Sequence, residues 1–376
     1  MTSDIPFTPP KCIGIIGLGL IGGTLAKTIR RIHPGIQILA CDPEEESLAK
    51  ALKEQVISKG TPEVTEEFSQ CRYIFLCAPV QKNESYLKQL APFLNDGCIL
   101  SDTGSVKSSI HHDVCSLGLS HWFIGGHPMA GSEKSGYENA TPYLFENAYF
   151  LITCDDISPE LAAEYQSFIA SLGCIPFLMT PKKHDFSTAA VSHLPHILAS
   201  GLVNLVKELD DDRETMKSIA AGGFKDITRI ASSSPVMWQE ICGTNREQIL
   251  LLLEYFLRSL EQIKGEIASG NQTRILEFFQ KAKDYRDSLP IKKAGPLPSI
   301  YEIYCDLIDE AGGIATIATI LATNGINIKN IGIIHNREFQ EGVLRIEFYE
   351  NHDMEQAILQ LRRHHYIVHE REEKKA

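Results

Sequence analysis

Short apolar runs recur along the first half of the chain, at 12–17, 36–41, 73–77, 98–101, 122–125 and 149–153. Each has the length of a strand and carries no charge, as strands buried on both faces do. Stretches with helical spacing lie between several of them, near 21–31, 44–54 and 83–93. Strand and helix in alternation predict a doubly wound, mostly parallel sheet of the Rossmann type over residues 1–182.

From His184 the texture changes to long helical patterns without strand punctuation, at 185–209, 235–269 and 272–288. Ser234-Pro235 supplies a cap with proline in the first helical position. An all-α domain over 183–290 follows. Positions 249–257 are apolar almost all round their helix, with Glu254 as the interruption, so this run needs cover. Its own domain could supply that cover, but a thin helical domain favours a second subunit, hence a homodimer.

Positions 284–298 hold three prolines and read as a linker. Beyond them the pattern is strand 301–309, helix 314–323, strands 326–335 and 342–350, helix 354–364 and strand 366–371. That βαββαβ order predicts a ferredoxin-like domain over 299–376.

Composition removes several classes of function. The 376 residues carry a formal net charge of −12 and no basic run, which argues against a nucleic-acid partner. Ten cysteines without a C-x-x-C pair, with Cys41, Cys77 and Cys98 inside apolar runs, read as reduced thiols of a cytoplasmic protein. The uncharged run 12–26 has internal glycines and no cationic flank, so it is a strand and turn rather than a signal segment. No apolar stretch approaches the ~20 residues of a membrane helix.

The first run leads into Gly17-Leu18-Gly19-Leu20-Ile21-Gly22, a G-x-G-x-x-G turn between a strand and a helix, with Asp42 at the end of the next strand. Gly17 permits the tight turn, Gly19 admits backbone to a pyrophosphate, and Gly22 lets helix and sheet close up. The helix N-terminus offers free N–H groups to the phosphates. Asp42 can accept from both ribose hydroxyls of NAD and would repel the 2′-phosphate of NADP, so NAD is the cofactor expected.

Two further loops leave strand ends on the ligand side of such a sheet. One carries Ser105 and the other His127, a pair suited to moving a hydroxyl proton. Equally, Ser105 could cap a helix starting at Val106, and His127 could pack in its turn between Gly126 and Pro128. His193 and His196 lie about 60° apart on a helix, opposite an apolar stripe of Val191, Leu194, Leu198, Leu202, Leu205 and Leu209. Pro195 should kink that helix. No carboxylate or cysteine set accompanies the two histidines, so no metal is expected. Asp226 and Arg229 share a helical face, as a surface ion pair or as a held Arg fork for a carboxylate substrate.

Taken in order, GLGLIGG, GSVK, GGHPMAGSEKSG, VSHLPH and GGFKDITRIA resemble the prephenate dehydrogenases of tyrosine biosynthesis over residues 12–285, and the trailing segment resembles an ACT regulatory domain. The resemblance implies NAD-dependent oxidative decarboxylation of prephenate to 4-hydroxyphenylpyruvate. His127 would take the ring hydroxyl proton, with Ser105 orienting both groups. Arg229 would bind a substrate carboxylate, either the departing one loosely or that of the pyruvyl chain. His196 and His193 would line the pocket, and Glu133 would stand at its mouth. Ala78, Pro79 and Val80 would touch the nicotinamide half of the cofactor. In the ACT segment, Asp309, Gly313, Ile314, Asn327 and Ile328 would surround an amino-acid effector, expected to be L-tyrosine as feedback inhibitor. The nearest rival is arogenate dehydrogenase, where an acid should face the substrate ammonium. A catalytically inactive NAD- and amino-acid-sensing protein is more remote, given Ser105, His127 and Arg229 together.

Overall fold

In β1 (Cys12–Ile16) every residue is buried, and alternate side chains enter opposite cores. Ile13 and Ile15 face one layer, with Leu25, Ile29, Tyr165 and Phe168; Cys12 and Ile16 face the other, with Phe68, Leu87, Leu90 and Phe123. This two-sided burial explains the unbroken apolar runs. The computed structural model describes residues 9–131, 134–155, 157–289, 301–306, 312–334 and 343–370.

The remaining strands of the first sheet are β2 (Gln37–Cys41), β3 (Lys59–Thr61), β4 (Tyr73–Leu76), β5 (Ile99–Asp102), β6 (Phe123–Pro128), β7 (Tyr149–Thr153) and β8 (Ile175–Leu178). Their spatial order is β3-β2-β1-β4-β5-β6-β7-β8. All neighbours are parallel except β6 and β7. The order reverses direction between β1 and β4, which opens a crevice at their C-terminal ends. The edge strands β3 and β8 escape sequence reading, because KGT is short and polar and IPFL contains proline and is half exposed.

The helical part differs from expectation in three places. The helix Pro181–Thr188 continues through a π-turn at Ala189–His193 into Leu194–Leu209, so the strain ahead of Pro195 is taken up as a wide turn. The single helix anticipated over 235–269 is two, Pro235–Thr244 and Arg246–Ala268, parted at the buried Asn245. The predicted linker begins late, since helix Gln272–Ser288 runs through its first residues.

On these helices much of the apolar surface is exposed. Of the apolar stripe, Val191 (68%), Leu205 and Leu209 (63%) are exposed and Leu194, Leu198 and Leu202 half-buried, while His193 on the opposite face is buried. On helix Arg246–Ala268, Ile249 is buried, yet Tyr255 and Leu257 are exposed. The continuous helical stretch Pro181–Leu209 holds an 18-residue window of mean hydropathy 1.3 and is, by length and composition only, long and apolar enough to cross a membrane, contrary to the sequence reading. Against a spanning role, its residues His184, Asp185 and His193 are buried and hydrogen-bonded to other segments of the protein.

Met1–Leu289 form one compact unit and Pro290–Ala376 a second. In the second, β9 (Tyr301–Asp306), helix Gly313–Thr323, β10 (Ile328–Ile334), β11 (Val343–Phe348), helix Asn351–Arg363 and β12 (Val368–Glu370) follow one another. The strands form an antiparallel sheet in the order β10-β11-β9-β12. Ile303, Cys305, Leu344 and Ile346 pack there against Ile317, Leu321, Ala357 and Leu361.

Candidate active site

At the crevice, Gly17 has φ +92°, and a Cβ on it would lie 2.6 Å from the backbone nitrogen of Ala78. A Cβ on Gly22 would meet the Gly17 carbonyl oxygen at 1.9 Å. Only glycine fits either position. Gly19 has open space around it and caps helix Leu20–Ile32, whose first turn holds no acid and no side-chain cap. The first N–H groups of that helix, including those of Leu20 and Ile21, are therefore of the kind that a helix N-terminus can offer to an anion. Asp42 follows β2; its carboxylate accepts from Leu18 N at 2.6 Å and Glu44 N at 2.8 Å. The half-exposed Ala78 and Val80, with Pro79 between them, follow β4, beside Gly17 on one side and Gly104 on the other. These features fit a dinucleotide.

Next along the sheet, β5 ends in the buried Asp102. Its carboxylate accepts from Gly104 N at 2.9 Å and Gly126 N at 3.3 Å and pairs with the ammonium of Lys107, which is wholly buried. Lys107 Nζ also donates to the Gly126 carbonyl at 2.7 Å. Burial pushes the Lys107 ammonium down, and Asp102 opposes this. A Cβ on Gly126 would lie 2.7 Å from the Asp102 carbonyl oxygen, so glycine is what lets β6 sit this close.

His127 follows on β6, half-buried. Its Nδ1 is 2.9 Å from Nε2 of His184, whose Nδ1 is 2.8 Å from Asp185 Oδ1. Asp185 is also the cap of helix Ser108–Ser116, accepting from Lys107 N at 2.7 Å and Ser108 N at 2.8 Å. Burial raises the Asp185 carboxyl, but the bonds from His184, Ser108 and Lys107 outweigh it and hold it below the ordinary carboxylate value. Burial, with His184, Lys107 and His193 nearby, pushes His127 well below the usual histidine value. Burial likewise lowers His184, despite Asp185. Both imidazoles are thus neutral at pH 7.

Asn245, at the helix break, donates to the Asp185 carbonyl at 2.8 Å and contacts His193 Nδ1 at 3.1 Å. Since Asn Nδ2 can only donate, His193 carries its hydrogen on Nε2, which has no partner among the described residues. His196 donates from Nδ1 to the Ser192 carbonyl at 2.9 Å, and its ring stacks on Trp238 at 3.9 Å.

Ser105 lies half-buried in the loop after β5 and caps nothing, because the helix begins at Ser108 and Asp185 occupies its cap. His184, rather than Ser105, holds the His127 ring. Arg229 follows helix Gly222–Thr228 on an exposed turn that packs on helix Leu194–Leu209, the element bearing His196. Glu133 and Asp309 lie outside the described residues. Gly313 and Ile314 open a helix, with Asn327 exposed just ahead of Ile328 at the start of β10. Sequence reasoning missed Asp102, Lys107, His184, Asp185 and Asn245. A lysine inside GSVK and an adjacent His-Asp opening an apolar helix were the available signals.

A cradle for pyrophosphate, opening beside a neutral imidazole whose outer nitrogen has no partner among the described residues, is what a nicotinamide-dependent oxidoreductase requires. Comparison with known proteins narrows that class. Residues 25–173 match the prephenate dehydrogenase nucleotide-binding domain, and residues 180–281 the prephenate dehydrogenase dimerization domain. The chain is 36% identical over 346 residues to a prephenate dehydrogenase of Bacillus subtilis, covering 91% of this chain and 93% of that one. It is 37% identical over 352 residues to the prephenate dehydrogenase of Lactococcus lactis, covering 92% and 96%. The crystal structure of prephenate dehydrogenase from A. aeolicus, in complex with hydroxyphenyl propionate and NAD+, superposes with a TM-score of 0.71 at 31% identity, covering 75% of this chain and 99% of that one. This chain belongs to the prephenate dehydrogenase family.

Proposed function

We propose that the protein oxidises prephenate with NAD+, releasing CO2 and 4-hydroxyphenylpyruvate, and that His127 is the base. The observation that carries this is the His127 imidazole, kept neutral by burial and held from behind at Nδ1, at the end of a strand beside the dinucleotide cradle. Gly17, Gly19, Leu20, Ile21, Gly22 and Asp42 would hold the cofactor, with Ala78, Pro79 and Val80 toward its nicotinamide end. The bound nicotinamide supplies the hydride acceptor. His127 Nε2 removes the ring hydroxyl proton as hydride leaves the same carbon; loss of CO2 then makes the ring aromatic, so alignment and one proton transfer suffice. Ser105 orients the hydroxyl. Arg229 binds a carboxylate, and His196 and His193 line the pocket, His193 through its Nε2–H. Glu133 stands at the mouth.

We assign residues 1–182 to cofactor binding, 183–290 to substrate and subunit contacts, and 299–376 to a ferredoxin-like ACT domain that takes L-tyrosine beside Asp309, Gly313, Ile314, Asn327 and Ile328. The alignments with the Bacillus and Lactococcus enzymes are longer than Met1–Leu289, so they extend into this segment. The outward apolar face at Val191, Leu205 and Leu209 suits a homodimer, and the protein is read as cytoplasmic. The test is NADH formation with prephenate, arogenate and a simple 2-hydroxy acid, with and without L-tyrosine. Turnover of prephenate is expected, slowed by tyrosine; turnover of arogenate alone would overturn the substrate assignment.

A further inference from the structure

We propose that Asp185 and His184 are positioning residues that fix the tautomer of His127 and receive its charge, a three-membered relay reaching across the interface between sheet and helices. The proposal rests on the reading of His127 as the base. Its order follows from what each atom can do. An ionised carboxylate only accepts, so the hydrogen on His184 Nδ1 points at Asp185 Oδ1, 2.8 Å away. A neutral His184 then has its lone pair on Nε2, which accepts from His127 Nδ1–H at 2.9 Å. His127 is left with an unprotonated Nε2, the nitrogen that makes no bond among the described residues. Asp185 cannot turn away, because Lys107 N and Ser108 N hold both its oxygens and Asn245 holds its carbonyl.

When the substrate O–H bond breaks, an N–H bond forms at His127 Nε2. The Nδ1–H bond of His127 can break in concert as one forms at His184 Nε2, so that the positive charge comes to rest on His184 against Asp185. One proton enters the relay, none is created, and loss of the Nε2 proton to solvent with reverse transfer resets it. The charged and titratable groups facing this pair are Asp102 and Lys107 from the sheet side and Asp185 and His193 from the helical side. A cationic relay is disfavoured by Lys107 and favoured by the two carboxylates.

The test uses the full-length protein labelled with 15N-histidine, with resonances assigned from His127→Gln and His184→Gln. In the wild type at pH 7.5 we expect His127 to carry hydrogen on Nδ1 and a pyridine-type Nε2. His184→Leu should mix the two tautomers and lower kcat by about 10- to 100-fold, with KM for both substrates near normal and the acid limb of the kcat profile displaced. His184→Gln, whose amide oxygen can accept from His127, should restore the tautomer and part of kcat. Cofactor binding by each variant reports its folding. Hydrogen on Nε2 of His127 in the wild type, or wild-type kcat and pH profile in His184→Leu, would overturn the relay. Normal turnover by His127→Gln with the expected tautomer would instead sink the base assignment and uphold the hydrogen-bond order.

Discussion

The ammonium of Lys107 is sealed in the core against the carboxylate of Asp102, both at 1% exposure or less, beneath the peptide that leads into His127. Such a pair is retained at the cost of desolvating two ions, and removing one partner strands the other. Lys107→Met should therefore destabilise the protein by about 3–5 kcal/mol, read by urea denaturation at neutral pH. Adding Asp102→Leu should recover part of that loss. A Lys107→Met variant as stable as the wild type would mean the pair contributes little.

Asp42 has two tasks, since one of its oxygens already braces the glycine turn at Leu18. Asp42→Ser should raise the kcat/KM ratio of NADP over NAD by roughly 100-fold, as the like-charge repulsion of several kcal/mol disappears. Use of NAD itself should also weaken, because Leu18 N loses its acceptor. An unchanged ratio would take cofactor selection away from Asp42.

Arg229 sits on an exposed turn, where a guanidinium can meet an incoming carboxylate. A charge-assisted bond is worth about 1.5–3 kcal/mol, so Arg229→Ala should raise KM for prephenate by roughly 10- to 100-fold. NAD affinity should be unaffected. A selective loss of kcat at normal KM would point to a role in the chemical step instead.

Burial pushes His193 down to about 4, and it lowers His127 and His184 as well. Between that value and the unfolded-state value near 6.5, the unfolded chain binds more protons than the folded one. Stability contributed by keeping His193 neutral is complete above about pH 6.5 and falls as pH drops toward 4, by about 3 kcal/mol. Urea titrations at pH 7 and pH 4.5 measure this. His193→Gln should flatten the slope between the two; an unaltered slope would assign the acid sensitivity to other groups.

Much of the fold was legible because its causes are local. Six of the sheet's strands announce themselves as apolar runs, and the glycine turn is explicit because the positive φ of Gly17 and the closeness of Gly22 to the Gly17 carbonyl are set within the turn itself. Ser105, His127 and Arg229 could be singled out from residue type and motif. Asp185 could not, because its value depends on Lys107 lying 78 positions earlier in the chain, and His184 acquires meaning only opposite His127, 57 positions away. Asn245 reads as one polar residue in a helical stretch until the break it occupies brings it against Asp185 and His193.

The helix Leu194–Leu209 marks the boundary between the two kinds of information. Periodicity determined that one face is apolar and the other carries histidines, since side-chain direction follows the helical repeat. Which face turns inward was decided only in three dimensions. A buried bond from Asn245 holds His193 inside, and Val191, Leu205 and Leu209 of the stripe are left outside. Amphipathicity fixes a difference between two faces, but the surroundings that each face meets come from distant parts of the chain.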